Sequence, residues 1–188
     1  MSCVKGLIAS LAGSGPLVIV GASVGGSCAL EIALLAPDRV AAVVLIGAKA
    51  SHLPEPLVRD EVVRTLAYGG MVEAWPRHWE PLFGVGADPD AIENARQIAF
   101  RQPVDHIING VDAFHNRADR AEFVTTWSKP LVVVSGSRDR TPSPAVSSEL
   151  AASTPGGTYR LVEGSGHYVS LEQPAEIARI VREVRLDL

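Results

Sequence analysis

Leu17-Val18-Ile19-Val20-Gly21-Ala22-Ser23-Val24-Gly25-Gly26 decides how this chain is read. Four apolar residues, three of them β-branched, read as a short buried strand, and the glycine-rich residues after them as a sharp turn into a helix. Gly21 and Gly25 frame Ser23 as G-x-S-x-G, a pattern that suits a serine on a strained strand-to-helix turn with its hydroxyl pushed clear of the backbone. Both glycines are expected to be sterically required, because a side chain at either would collide across so tight a bend. The helix over residues 24–36, ended by Pro37, points its N-terminus near the hydroxyl, where its free N–H groups favour developing negative charge. The same glycines could open a dinucleotide loop. That reading requires an acidic residue at the end of the next strand, which instead ends Ile46-Gly47-Ala48-Lys49.

Outward from this turn the sheet pattern recurs. Val40-Ala41-Ala42-Val43-Val44-Leu45-Ile46 is an almost continuous apolar run, as expected of a strand buried on both faces of a parallel sheet. Leu131-Val132-Val133-Val134 is a third strand, running into Ser135-Gly136-Ser137-Arg138-Asp139. Thr158-Tyr159-Arg160-Leu161-Val162 is a fourth, running into Glu163-Gly164-Ser165-Gly166-His167. Helices are expected over 143–152 and from Pro174 to Val184, the latter with Ile177, Ile180, Val181 and Val184 in one stripe. Strands alternating with helices argue for a three-layer parallel α/β sheet with right-handed crossovers. From Ser51 the texture changes. Prolines punctuate helical patterns at 55–68, 71–80, 88–101 and 103–117, no strand pattern appears, and all three tryptophans fall within 75–127. Residues 51–127 are therefore expected to form a helical lid inserted into a single domain spanning 1–188. Residues 2–12 read as a short helix with Val4, Leu7, Ile8 and Leu11 on one face.

Ser23, Asp139 and His167 each lie just past the carboxyl end of an expected strand, the rim where ligand chemistry belongs in such sheets. A serine hydroxyl is a poor nucleophile until a base takes its proton. His167 is the candidate base, and Asp139 can hold its imidazole in the required tautomer. The chain order Ser, Asp, His is the one that accompanies this turn. Gly164 and Gly166 suit a loop that carries an imidazole over the sheet. His52, His78, His106 and His115 belong to the insertion and are assigned to its surface or packing.

At 188 residues, 47% apolar and with a net charge of −4, the chain reads as one globular domain with no electrostatic case for nucleic acid or an anionic membrane. Cys3 and Cys28 make no disulfide framework, and Cys28 is expected to be a small buried hydrophobe. No Cys/His cluster has metal-ligand spacing, and no apolar run has the length of a membrane span. Lys5 and the apolar residues after it look a little like a secretory signal, but the run is short and cleavage near Ala22 would destroy the Ser23 turn. The expected location is cytoplasmic.

The chain resembles the α/β-hydrolase family, and more closely its lid-bearing esterases, enol-lactone hydrolases and carbon–carbon bond hydrolases. The resemblance is carried by Gly21-Ala22-Ser23-Val24-Gly25-Gly26, Gly136-Ser137-Arg138-Asp139-Arg140-Thr141-Pro142, Gly164-Ser165-Gly166-His167, and the segment Asn116-Arg117-Ala118-Asp119-Arg120. It implies Ser23 as nucleophile, His167 as base, Asp139 as acid and the Val24 backbone N–H as one oxyanion donor, with no metal or cofactor. The expected substrate is a small hydrophobic ester, thioester or lactone, with Trp75, Trp79 and Phe83 as candidate pocket residues. Family members carry several dozen more residues ahead of the turn, about eight strands, and a loop supplying a second oxyanion N–H. Here 22 residues precede Ser23 and four strands are counted, so the sheet is expected to be truncated on its N-terminal side. The Leu17–Val20 strand then becomes an apolar edge expected to pair with a second copy, which sedimentation would register as self-association. The alternative reading is a catalytically impaired relative that binds rather than hydrolyses.

Overall fold

Both faces of the two central strands are apolar, and the layers follow from that. In the computed structural model, which describes residues 6 and 15–186, β1 (Leu17–Ala22), β2 (Val40–Ile46), β3 (Leu131–Gly136) and β4 (Gly157–Val162) pair in that order, parallel throughout. β1 turns at Ser23 into α1 (Val24–Leu35). β2 is followed by α2 (Pro56–Ala74), α3 (Pro89–Phe100), α4 (Val104–His115) and α5 (Ala121–Thr126). After β3 comes α6 (Pro144–Ala152), and after β4 the short α7 (Val169–Glu172) and α8 (Pro174–Leu186). The helix expected over 2–12 lies outside the described residues apart from Gly6.

Successive strand side chains point to opposite faces. Val43, Leu45, Leu131 and Val133 pack on one face with Ala29, Leu30 and Ala33 of α1 and Ala151 of α6. Ala42, Val44, Ile46, Val132 and Val134 pack on the other with Ile177, Ile180 and Val184 of α8. This is why β2 and β3 read as unbroken apolar runs, and why the α8 stripe was visible. β1 and β4 are the outer strands among the described residues and are buried less completely, with Val20 and Leu161 exposed.

Two local expectations are corrected. Cys28 is exposed, not buried. The inward side of α1 is Gly26, Ala29, Leu30, Ile32 and Ala33, and at 100° per residue Cys28 falls beyond the Ile32 edge of that side. Of the two glycines framing Ser23, only Gly21 is sterically required: a Cβ there would lie 2.4 Å from the Gly25 carbonyl oxygen, whereas one on Gly25 meets nothing within 4 Å. The second tight position is Gly26, where a Cβ would lie 2.3 Å from the Ala48 Cβ. Gly26→Ala is therefore expected to destabilise by about 1–3 kcal/mol, as overpacked cores do. Gly25→Ala, inside the same helix, is expected to be neutral or stabilising by up to about 1 kcal/mol. Chemical denaturation of the two variants checks the contrast.

Between β2 and β3 the described residues form helices and turns only. The expected helices 55–68 and 71–80 are the two stretches of α2, parted by a non-helical break at Gly70 (φ 58°, ψ −160°), and the second continues as a wide π turn over Trp75–Trp79. α5 was not anticipated. Leu66, Met71, Ala74, Trp75 and Phe83 form this region's own core, against which Ile107, Ile108 and Val111 of α4 pack. Its return is tied to the sheet at several points. The Arg120 N–H donates to the Ala50 carbonyl (2.9 Å), its guanidinium pairs with Glu31 of α1 (2.5 Å), and Asp119 accepts from the backbone of His52 (3.2 Å) and Ala121 (2.7 Å). Those two N–H bonds hold the Asp119 carboxyl below its ordinary pKa.

Candidate active site

The site begins as a backbone constraint. Ser23 has φ 50° and ψ −120°, the one positive φ at a non-glycine among the described residues, and its N–H donates to the Ile46 carbonyl at 2.8 Å. Such a conformation costs about 1–3 kcal/mol and persists only where surrounding structure holds it. Here the β1–β2 pairing and the close Gly21–Gly25 approach do so. The result is a hydroxyl lifted off the carboxyl edge of the sheet, at the start of α1.

Two other strand ends deliver its partners. After β3, Asp139 turns back so that its N–H donates to the Gly136 carbonyl (3.1 Å), and its Oδ1 accepts the Thr141 N–H (2.8 Å). After β4, the His167 N–H donates to the Leu82 carbonyl at 2.8 Å. Gly136 and Gly166 allow these loops to touch: a Cβ on Gly136 would lie 2.2 Å from the Gly166 oxygen, and one on Gly166 would lie 2.3 Å from the Gly84 nitrogen. Glu172 clamps the arrangement from α7, accepting the backbone N–H groups of Gly84 (3.0 Å) and Gly166 (3.0 Å).

The three side chains form one chain of hydrogen bonds. Asp139 Oδ2 is 3.0 Å from His167 Nδ1, and His167 Nε2 is 2.9 Å from Ser23 Oγ. A carboxylate can only accept, so Nδ1 carries the imidazole hydrogen, Nε2 offers its lone pair, and the Ser23 hydroxyl donates to it. Asp139 and His167 are only 4% and 7% exposed, which shields their contact from water. Gly47 (φ 55°) lies against this pair. A Cβ on it would be 3.1 Å from His167 Nδ1 and 3.2 Å from Asp139 Oδ2.

Ser23 and His167 open into a cavity of about 490 Å³ between the sheet's carboxyl edge and the inserted helices. Its walls include Val58, Val62, Trp79, Leu82, Ile107 and Phe114. Of the three aromatic residues expected there, Trp79 lines the cavity. Trp75 and Phe83 are buried in the inserted region's own core, their rings 6.4 Å apart. Val24 also lines the cavity and is the first residue of α1, where backbone N–H groups have no partner within the helix. His78 and His115, read from sequence as surface or packing, line the same wall; burial pushes both below the ordinary histidine range. Tyr168, Thr141 and the cis-peptide residue Pro142 complete the lining near His167. Thr141 and Pro142 belong to the Gly136–Pro142 segment that carries the resemblance, though with no role assigned to them, and Tyr168 is signalled only by adjacency to His167. Among the described residues there is no group of His, Cys, Asp and Glu able to hold a metal ion, and no helix long and apolar enough to cross a membrane.

Comparison with known proteins identifies the family and the fold. A sequence model of the alpha/beta hydrolase family matches residues 3–180. The chain is 30% identical over 187 residues to lipase LipV of Mycobacterium tuberculosis, an alignment covering 90% of this chain and 69% of that protein. Among solved structures it resembles a thermophilic esterase from Thermogutta terrifontis (TM-score 0.83, 22% identity, 96% of this chain and 67% of that one). It also resembles the enol-lactonase from Burkholderia xenovorans LB400 (TM-score 0.84, 21% identity, 98% and 70%). These two likenesses are of fold.

Proposed function

The chain belongs to the α/β-hydrolase family, and on that premise we propose that it hydrolyses small, largely apolar carboxylic esters, thioesters or lactones through an acyl-enzyme on Ser23. The observation that carries this reading is the buried Asp139–His167–Ser23 chain, 3.0 and 2.9 Å, opening into an apolar cavity. In the first half-reaction the Ser23 oxygen bonds to the substrate carbonyl carbon while its proton passes to His167 Nε2. The carbonyl oxygen becomes an oxyanion facing the Val24 N–H at the start of α1. Collapse breaks the acyl–oxygen or acyl–sulfur bond, and His167 returns the proton to the leaving group. In the second half-reaction water gives its proton to His167, its oxygen bonds to the acyl carbon, and the Ser23–acyl bond breaks with the proton restored to Ser23. Asp139 stays ionised throughout and stabilises the imidazolium formed in each half. The walls at Val58, Val62, Trp79 and Ile107 support an apolar acyl or alcohol group.

A fluorophosphonate probe tests the reading, since it phosphonylates a serine only where a base and an oxyanion site activate it. The folded protein is expected to gain one probe mass, mapped to the peptide containing Ser23, and Ser23→Ala to gain none. An unmodified Ser23 in folded protein, beside a control hydrolase that labels, would leave a binding protein without hydrolytic chemistry.

A further inference from the structure

Hydrogen bonds behind the cavity wall fix the tautomer of one imidazole that lines it. His78, on the π turn, lines the cavity that holds Ser23, and its Nε2 lies 3.3 Å from Thr65 Oγ1 of α2. Thr65 is buried, and its hydroxyl has a single hydrogen, which it donates to the Glu61 carbonyl one turn back at 2.9 Å. The Thr65 oxygen can therefore only accept from the imidazole, so His78 Nε2 carries a hydrogen. Burial, aided by Arg77, holds the His78 pKa below the ordinary histidine range against the pull of Glu61. At neutral pH the ring keeps that one hydrogen, and Nδ1 offers a lone pair.

That lone pair is open to a ligand. The two nitrogens of an imidazole point away from each other, so a ring that turns Nε2 toward buried Thr65 turns Nδ1 away from it. Nδ1 has no hydrogen-bond partner among the described residues, and it is not one of their sealed, unpartnered polar atoms. Trp79 stands edge-on to the ring, centroids 5.9 Å apart, and Val62 and Ile107 share the wall. His115 lines the cavity too, but its imidazole has no hydrogen-bond partner among the described residues, so nothing fixes which of its nitrogens donates. His78 is thus a tautomer-locked acceptor on a largely apolar wall. A ligand that covers Nδ1 without offering a donor leaves it unmet, and sites of that kind discriminate strongly against analogues lacking the donor.

We infer that the substrate carries a neutral hydrogen-bond donor, in the simplest case a hydroxyl, remote from the bond attacked by Ser23, and that His78 Nδ1 accepts it. The substrate class is then a hydroxylated ester, thioester or lactone with an apolar stretch between hydroxyl and carbonyl. His78 determines specificity by touching that hydroxyl, and Thr65 acts through it by setting the tautomer. This rests on the hydrolase reading for the reacting bond, but the acceptor itself does not require catalysis.

The test is the ratio of kcat/KM for a hydroxyl-ended ester to that for its methyl-ended isostere. The pairs are 4-nitrophenyl 6-hydroxyhexanoate with the heptanoate, 4-nitrophenyl 8-hydroxyoctanoate with the nonanoate, and, for a hydroxyl on the alcohol side, 6-hydroxyhexyl acetate with heptyl acetate. In at least one pair the ratio is expected to fall by about tenfold or more from wild type to His78→Phe, the usual size of one hydrogen bond lost in a dry site. It is expected to fall less in His78→Gln, whose amide can donate to Thr65 and accept from the ligand. A role in packing alone would slow both members of a pair alike. Nitrogen NMR is expected to show His78 as the Nε2–H tautomer. In Ser23→Ala, ethyl 6-hydroxyhexanoate is expected to move the His78 Nδ1 resonance upfield, the sign of a hydrogen bond accepted, and ethyl heptanoate is not. An Nδ1–H tautomer, or ratios unchanged in both His78 variants across all three pairs while the esters turn over, would overturn the inference and leave the hydrolase reading intact. An upfield Nδ1 shift with no wild-type turnover of any ester would support the acceptor site and remove the hydrolase reading instead.

Discussion

His167→Ala is expected to lower kcat by about 10⁵–10⁶-fold on an activated ester, the largest effect of any substitution away from Ser23 itself. The reason is positional. His167 Nε2 is the acceptor 2.9 Å from Ser23 Oγ, and among the described residues no other side chain hydrogen-bonds that hydroxyl. Without it the serine keeps its proton at the moment of attack, and the leaving group has no acid. His78 and His115 share the cavity wall, but among the described residues neither imidazole hydrogen-bonds Ser23, and that of His78 is engaged by Thr65 Oγ1 at 3.3 Å. They are not expected to rescue the variant. Because Ser23 and His167 act as one unit, Ser23→Ala combined with His167→Ala is expected to be barely slower than either alone. Steady-state kinetics on the three variants checks both statements, with circular dichroism to confirm that each is folded. A His167→Ala loss of only tenfold would place the base elsewhere.

Asp139→Asn is expected to cost about 10⁴-fold in kcat with little change in KM, and its hydrogen bonds say why. The carboxylate accepts from two N–H groups at once: Thr141 on Oδ1 and His167 Nδ1 on Oδ2. An asparagine has one carbonyl oxygen and one NH₂ to meet the same two donors. If its oxygen stays on Thr141, its NH₂ faces Nδ1, and the imidazole must put its hydrogen on Nε2. That tautomer cannot take the Ser23 proton. If the amide flips, the NH₂ opposes the Thr141 N–H and the loop carrying residue 139 loses its anchor. Either way the geometry stays nearly isosteric while the chemistry fails, so substrate binding is preserved and turnover is not. An Asp139→Asn variant within tenfold of wild type would mean that the carboxylate only packs.

Much of the fold was legible because strand burial leaves a direct trace in composition. β2 and β3 are covered on both faces, so Val40–Ile46 and Leu131–Val134 had to be apolar without alternation. The α8 stripe is equally local, one face against the sheet. Ser23, Asp139 and His167 were legible as residue types at strand ends. The inserted helices were read in number only approximately. α5 is six residues long, too short for a periodic pattern, whereas the break at Gly70 falls where the two expected helices part. Trp75, Trp79 and Phe83 have the same chemistry and neighbouring positions, so sequence could not tell that Trp79 faces the cavity while the other two fill a core. Gly25 and Gly26 present the same limit. Which of them must be glycine depends on where Ala48 arrives from another strand end.

By itself, then, the sequence determined the parallel sheet, the strained turn at Ser23 and the three residue types ranged along one rim. These follow from local sterics and from the apolar continuity that a doubly covered strand demands. Only the tertiary structure decided that Ser23 and His167, 144 residues apart in the chain, meet at 2.9 Å, and that Trp79 rather than Trp75 or Phe83 lines the cavity beside them. Distances between strand ends and the orientation of loop side chains come from how layers pack. Packing is a sum over many distant contacts that no short window of residues contains.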